Sequence, residues 1–159
     1  MTRRLVWVLV VALATACGGV AAGTLQLKVQ DQVKVRVSPD GAVIMNKVRV
    51  ATVDEKGKVV RSDGKLWAWV NPESIRLPGG AQIPIKTDPD GNLYLPQAAQ
   101  EQAGVKTVRT RVAAGGRVIT KDGGETNFVI EGADDVESRR MGLLMLLMFA
   151  NPPQDTEQE

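Results

Sequence analysis

The sequence contains no histidine and only one cysteine, Cys17. Without histidine the chain cannot build a Ser-His-Asp or Cys-His catalytic group, and it cannot form a histidine-ligated metal centre. A single cysteine cannot form a disulfide within the chain. We therefore expect no catalytic residues, no metal site and no cofactor, and we expect a protein that is not an enzyme.

Aromatic residues are also scarce, at 4% of the chain, and the charges nearly cancel, with 20 basic and 18 acidic residues. A nucleic-acid-binding domain usually has a basic excess, so this balance argues against nucleic acid as a partner. Glycine, by contrast, is frequent, with 16 residues, and valine recurs along the body of the chain. Both features favour β-structure with many turns. The length fits one domain.

Apolar and polar residues alternate from Leu25 onward, so that leucine and valine occupy the odd positions of 25–29 and 33–37. A period of two predicts strands with one buried face. Turn sequences such as SPDG, DEKG and DPDG separate further strand-like segments up to residue 131. We predict a mainly β fold over 25–131, built from antiparallel hairpins or a meander. The hairpins would form a sandwich or a stacked repeat, with an N-terminal signal helix and one C-terminal helix.

Two segments nearly repeat each other: GKVVRSDG at 57–64 and GRVITKDG at 116–123. Valine-rich basic segments, 47–53 and 106–112, precede them and have the pattern of strands. The repeated unit thus covers 47–64 and 106–123. Its shared residues are glycine and aspartate, which turns require, so we interpret the repeat as structural.

The C-terminal segment changes its periodicity and predicts a helix over 133–150. Asp134 is placed to cap it, with Glu137 three positions later, and Asn151 and Pro152 to end it. Residues 141–150 are apolar all round but too few to cross a bilayer. They form either a helix docked on the sheet or a hydrophobic partner contact through Met141, Leu143, Leu144, Leu146, Leu147 and Phe149. The acidic tail 151–159 is expected to be disordered.

The N-terminal segment has Arg3 and Arg4, an apolar run over 5–13, and small residues at 14–16 directly before Cys17. This order resembles the signal of bacterial lipoproteins, with ATAC as the lipobox. The resemblance implies a signal peptide over 1–16, lipidation of Cys17 and a flexible tether over 17–24. Gly18 at the next position implies the periplasmic face of an outer membrane.

Two other outcomes remain open for this segment. Cleavage after Ala16 or Ala22 would give a soluble periplasmic or secreted protein. Without cleavage, the uncharged residues 5–23 are enough to anchor the chain in the inner membrane.

Few residues qualify for a surface site. Trp67, Trp69 and Tyr94 would form a ligand face if they are exposed together, although two tryptophans on one strand more often cover a sheet. DPDGN at 88–92 lacks the spacing of a calcium loop and predicts a turn. Asp134, Asp135 and Glu137 stand at a helix start, where acidic residues are favourable without catalysis.

Together these features predict a non-enzymatic, lipid-anchored cell-envelope protein with a structural or accessory role. Its partners would be the membrane, through the lipid, and another envelope protein or a glycan. One alternative is a carbohydrate- or peptidoglycan-binding module that uses Trp67 and Trp69. Another is a signal-anchored subunit of a membrane complex that grips its partner through the C-terminal helix.

Overall fold

The computed structural model describes residues 24–153. The predicted signal peptide, Cys17, most of the predicted tether and the last six residues of the chain lie outside this range. The described strands are β1 Leu25–Val29, β2 Gln32–Val37, β3 Ala42–Met45, β4 Val48–Val53, β5 Lys58–Arg61, β6 Leu66–Val70, β7 Ser74–Arg76, β8 Gln82–Pro84, β9 Lys86–Thr87, β10 Leu93–Tyr94, β11 Arg111–Val112, β12 Arg117–Ile119 and β13 Glu125–Glu131. The helices are α1 Gln97–Gln102 and α2 Val136–Ala150, with one 3-10 turn at Ala114–Gly116.

The mainly β, meandering fold is confirmed. All thirteen strands form one antiparallel sheet in which nearly every strand pairs with its neighbour in the chain. Beyond those neighbours, β1 pairs with β13 through the register Leu27 opposite Ile130. The alternation seen in the sequence follows this geometry, because Leu25, Leu27, Val35 and Val37 all lie on the buried face.

The sheet curls into a nearly closed barrel rather than a two-layered sandwich. Its two outermost strands are β8, paired with β7, and β9, paired with β10. Only Ile85 separates them in the chain. They are therefore two halves of one extended segment, and this segment brings the two edges of the sheet together.

Helix α2 fills the space that the sheet encloses. It contacts β1, β2, β6, β10 and β11, which are spread around the sheet. Every residue from Met141 to Met148 is buried, on all sides of the helix. A helix that is apolar all round must be buried all round. The C-terminal helix predicted from the sequence is thus the centre of the core.

Helix α2 begins at Val136 rather than at residue 133, and its capping residue differs from the prediction by one position. Asp135, not Asp134, is the N-cap: the Ser138 backbone N–H donates to Asp135 Oδ1 at 2.7 Å. This hydrogen bond lowers the pKa of Asp135. Asp134 lies just outside, in a turn in which its own N–H donates to the Gly132 carbonyl at 3.0 Å. The predicted end is confirmed, because the helix stops at Ala150 and Asn151 caps it.

The strand expected over 106–112 is mostly absent, and only Arg111–Val112 pairs in the sheet. Side chains form hydrogen bonds with backbone groups of this segment that would otherwise pair with a neighbouring strand. The fully buried Gln100 amide bonds to Val108 N–H at 2.6 Å and to the carbonyls of Val108 and Leu95 at 3.0 and 2.9 Å. Asn151 bonds to both backbone groups of Lys106, at 2.8 and 3.0 Å. The segment is therefore an ordered loop over the end of the barrel.

The two copies of the glycine-flanked repeat adopt the same conformation. Gly57 and Gly116 open them with φ of 82° and 80°, and Gly64 and Gly123 close them with φ of 85° each. The residues between form β5 and β12. Each opening glycine also lies against the backbone of a strand further along the chain, at Val70 and Ile130 respectively. The closing glycines, Gly64 and Gly123, have no such contact: a Cβ added to either would meet no atom within 4 Å.

Candidate functional site

The clearest surface feature of the described residues is a row of four side chains across neighbouring strands. Trp69 on β6 lies opposite Lys58 on β5 and Arg76 on β7, and Arg76 lies opposite Gln82 on β8. We call these four residues the Trp69 row. All four are exposed, and the strands they occupy place the row over about 14 Å, at about 4.8 Å per strand.

The indole of Trp69 is held in place by the protein itself. Its Nε1–H donates to the carbonyl of Lys56 at 3.1 Å, in the turn that precedes β5. The side chain is nevertheless 36% exposed, among the most exposed large apolar residues described. Because the N–H already has a partner, the faces of the ring are the part left for a contact.

The structure does not bring Trp67 and Tyr94 to this row. Trp67 is half-buried and packs against the core cluster, at a register shift between β5 and β6 that interrupts the simple alternation. Tyr94 lies on β10, beyond β7 and the closing segment, about 14 Å around the barrel. The ring of Tyr94 is also covered by Arg111, whose guanidinium carbon lies 4.3 Å from the ring centroid.

Lys58, Arg76 and Gln82 were not predicted from the sequence as neighbours of Trp69. Each stands at an outward position of its own strand, so the alternation could have marked it as exposed. Their alignment depends on the register of three strand pairs, including one register shift. No local pattern in the sequence encodes that register.

The segment DPDGN at 88–92 is a turn, as predicted. Asp88 Oδ1 accepts the N–H groups of Asp90 and Asn92 at 2.9 Å each, and Oδ2 accepts from Asn92 Nδ2 at 3.0 Å and Arg111 Nη1 at 2.7 Å. Burial opposes ionisation of Asp88. The bonds from Arg111 and Asn92 outweigh it and lower the pKa of Asp88 to about 2. The carboxylate is fully engaged by its own turn and by β11.

We expect this turn to make stability depend on pH in the acid range. The lowered pKa means that Asp88 stabilises the fold above its unfolded-state pKa of about 4, and that this stabilisation is lost as the pH falls towards 2. Asp88→Asn should therefore lower the thermal midpoint at pH 6, and the gap to the unsubstituted protein should shrink between about pH 4 and pH 2. Asp90→Asn, in the same turn but exposed, is the matched control. A gap that does not change with pH would contradict this role.

The six helix residues named as a partner contact lie in the core. Met141, Leu143, Leu144, Leu146 and Leu147 are each at most 5% exposed, and Phe149 is half-buried against Phe128 with ring centroids 5.9 Å apart. A partner cannot reach these side chains while the barrel is folded around them. The docked-helix alternative therefore describes α2, and the partner-contact alternative does not fit this structure.

Charge is distributed unevenly over the described surface. The strands carry ten basic residues and two acidic ones, Glu125 and Glu131; the basic ones are Lys28, Lys34, Arg36, Arg49, Lys58, Arg61, Arg76, Lys86, Arg111 and Arg117. Each of these charged strand residues is at least partly exposed, so their charges lie on the outer surface of the barrel, which we call the strand wall. The near-neutral total conceals this basic wall.

The opposing charge gathers at one end of the barrel. Because the strands alternate in direction, the turns before β3, β5, β7, β10, β12 and α2 share the end at which the chain enters β1. These turns hold eight carboxylates and one lysine, Lys56; the carboxylates are Asp40, Asp54, Glu55, Glu73, Asp88, Asp90, Asp134 and Asp135. We call this the acidic end. Thr24, the first described residue, lies there.

No protein-family model, curated protein or solved structure matches this chain. Its function has therefore to be argued from its own residues.

Two further observations bear on the candidate chemistry. Among residues 24–153 there is no group of three or more histidine, cysteine, aspartate or glutamate side chains placed to hold a metal ion. No helix in that part of the chain is long and apolar enough to cross a membrane. Asp134 and Asp135, at the start of α2, belong to a turn and a helix cap, while Glu137 lies in the first turn of the helix.

Proposed function

We propose that this protein is a non-enzymatic, lipid-anchored cell-envelope domain with an accessory role, which acts through its outer surface. The observation that carries the proposal is the position of α2. The helix occupies the interior that a barrel of this size would otherwise offer to a ligand. Contacts with other molecules are therefore left to the strand wall and the two ends.

The geometry of the chain entry fits attachment at one end. Only six residues lie between Cys17 and Thr24, a span of at most about 24 Å when fully extended. A lipid on Cys17 would hold the acidic end towards the membrane. Anionic headgroups would repel the carboxylates of that end, so the domain would stand off the bilayer with its basic wall accessible.

Lipidation is tested by the intact mass of the protein recovered from bacterial membranes. We expect a chain that begins at Cys17 and is heavier by a diacylglycerol and an acyl group. Cys17→Ser, which removes the thiol and little else, should abolish that species and its recovery from the membrane fraction. An unmodified mature chain would contradict the lipid anchor and indicate a soluble exported protein. A chain that retains Arg3 and Arg4 would indicate a signal anchor instead.

The second candidate function is a carbohydrate-binding module, and the exposed, fixed ring of Trp69 favours it. One face of a sugar ring carries C–H groups. This face is apolar, so it can pack on the face of an aromatic ring. The two functions are compatible, because an anchored domain can bind a glycan on its wall. The third possibility, a complex subunit that grips its partner through α2, has no support in a helix that is buried all round.

A further inference from the structure

We propose that the Trp69 row is a binding site for an acidic polysaccharide, one whose sugars carry carboxylates. Trp69 would stack on one sugar ring, while Lys58 and Arg76 bind the carboxylates on either side. Gln82, at the end of the row, offers an amide to sugar hydroxyls. The inference rests on the proposed function only in its premise that the domain meets envelope polymers.

The first observation that supports a binding site is the geometry of the row. Lys58 and Arg76 lie directly opposite Trp69 on the two neighbouring strands, where Cβ atoms of such pairs are about 5 Å apart. A ring stacked on the indole would thus have a cation within reach on each side. The arginine guanidinium also matches a carboxylate in two-pronged geometry.

The second observation is that Lys58 and Arg76 form no salt bridges in the described part of the chain and that Trp69 is already held in place. None of the ion pairs found within residues 24–153 involves Lys58 or Arg76, and both are exposed. Trp69 is held by its bond to Lys56, so it loses little freedom when a ligand binds. The site is therefore already arranged, with two charges that the protein does not neutralise by salt bridges of its own.

The charges of the row itself select an anionic ligand. The row lies where the strand wall borders the acidic end, since Trp69 bonds to the turn that holds Asp54 and Glu55, so the attraction depends on Lys58 and Arg76 rather than on the wall as a whole. A neutral glycan would make no use of these two cations, whereas a carboxylate would be attracted to them within a Debye length of about 8 Å in physiological salt.

A polysaccharide fits the row better than nucleic acid does. Proteins that hold single strands stack successive bases on several aromatic side chains along a basic groove. Among residues 24–153 one aromatic ring, that of Trp69, is exposed, since Trp67 packs against the core and Arg111 covers Tyr94. The row also lies on the outer surface of a barrel. One stacked ring flanked by carboxylate contacts is the pattern that an acidic glycan requires.

The test is a calorimetric titration of the full chain in detergent with an oligogalacturonate long enough to span the row. The methyl ester of the same oligomer, which keeps the rings and removes the charge, is the matched ligand control. We expect the ester to bind about tenfold more weakly or worse. Trp69→Ala and Arg76→Gln should each weaken binding of the acid oligomer by about tenfold or more.

Arg36→Gln is the matched protein control. Arg36 is exposed on β2, four strand positions from Trp69, and its removal changes the net charge by the same amount as Arg76→Gln. We expect binding within about twofold of the unsubstituted protein, since surface charges that far apart are screened. Thermal midpoints of all variants confirm that each is folded before binding is compared.

Three results would overturn the inference. Equal binding of the acid and its ester would remove the selectivity for charge and leave a general carbohydrate-binding module. Equal loss in Arg36→Gln and Arg76→Gln would mean attraction to the whole wall rather than a site. Polyglutamate or single-stranded DNA binding as tightly as the oligomer would mean that no sugar is recognised. None of these results depends on whether Cys17 carries a lipid, which the intact mass decides separately.

Discussion

A chain that ends at Glu131 is expected not to fold, because it lacks the helix around which the barrel is built. Seven leucine and methionine side chains of α2, between Met141 and Met148, are each at most 5% exposed. Burial of one such side chain contributes about 1.5–3 kcal/mol. Together they are worth on the order of 10 kcal/mol, which is comparable with the whole stability of a typical domain, about 5–15 kcal/mol.

The measurement is urea and thermal unfolding followed by circular dichroism. The truncated chain should show no cooperative transition, whereas a chain that ends at Pro153 should match the full protein, because it keeps all of α2. Leu147→Ala gives a graded version of the same test. Leu147 is completely buried, and we expect a loss of about 2–5 kcal/mol in the free energy of unfolding. A cooperative transition in the shortened chain would mean that the sheet buries its apolar face without the helix.

The sequence was sufficient to predict this helix because its signals are local. An apolar segment, an acidic residue near its start and Asn151–Pro152 at its end lie within about twenty positions of each other. Its role as the centre of the barrel was not predictable, because that depends on strands as distant as β2 and β11. The one-residue error at the cap has the same origin: Asp134 and Asp135 are chemically equal, and the geometry of the preceding turn selects between them.

The strands show the same division between local and distant causes. The alternation over Leu25–Val29 predicts β1 correctly, since one face of the strand lies on the core. Residues 106–110 carry a similar pattern but form a loop, because Gln100 and Asn151 bond to their backbone. Asn151 lies 45 residues from Lys106, so no window of local sequence contains this competition.

The candidate site was predicted only in part. Trp69 was named from the sequence together with Trp67 and Tyr94, because aromatic rings that are exposed together can form a ligand face. The basic neighbours of Trp69 emerged only from the strand register, the basic wall from the bounds of the strands, and the acidic end from the direction of each strand. Total charge, which argued against nucleic acid as a partner, is an average over a basic wall and an acidic end. That average describes neither surface.

Substitution of the glycines of the repeat is the second change that we expect to affect stability strongly. The two glycines at the ends of one copy, Gly57 and Gly64, make a matched pair. Gly57 and Gly64 both have positive φ, of 82° and 85°, where a residue with a Cβ is strained by about 1–2 kcal/mol. A Cβ on Gly64 would meet nothing within 4 Å, so Gly64→Ala should cost only this strain. A Cβ on Gly57 would overlap the carbonyl oxygen of Val70.

Gly57→Ala should therefore cost more than strain alone. The overlap forces the turn and β6 apart and breaks the hydrogen bond from Val70 N–H to the Gly57 carbonyl, which is 2.8 Å long. An unsatisfied buried backbone group adds about 1–3 kcal/mol. We expect a loss of about 3 kcal/mol or more in the free energy of unfolding by urea, at least about 1 kcal/mol beyond Gly64→Ala.

The second copy of the repeat gives an independent check on this contrast. A Cβ on Gly116 would overlap the carbonyl oxygen of Ile130, while a Cβ on Gly123 would meet nothing within 4 Å. Gly116→Ala should thus lose more stability than Gly123→Ala, in the same order as the first pair. Equal losses within both pairs would show that positive φ alone explains the glycines. The larger loss at each opening glycine would instead show that both copies of the repeat preserve a close approach between a turn and a strand, the same approach that Gly41 makes to Val53.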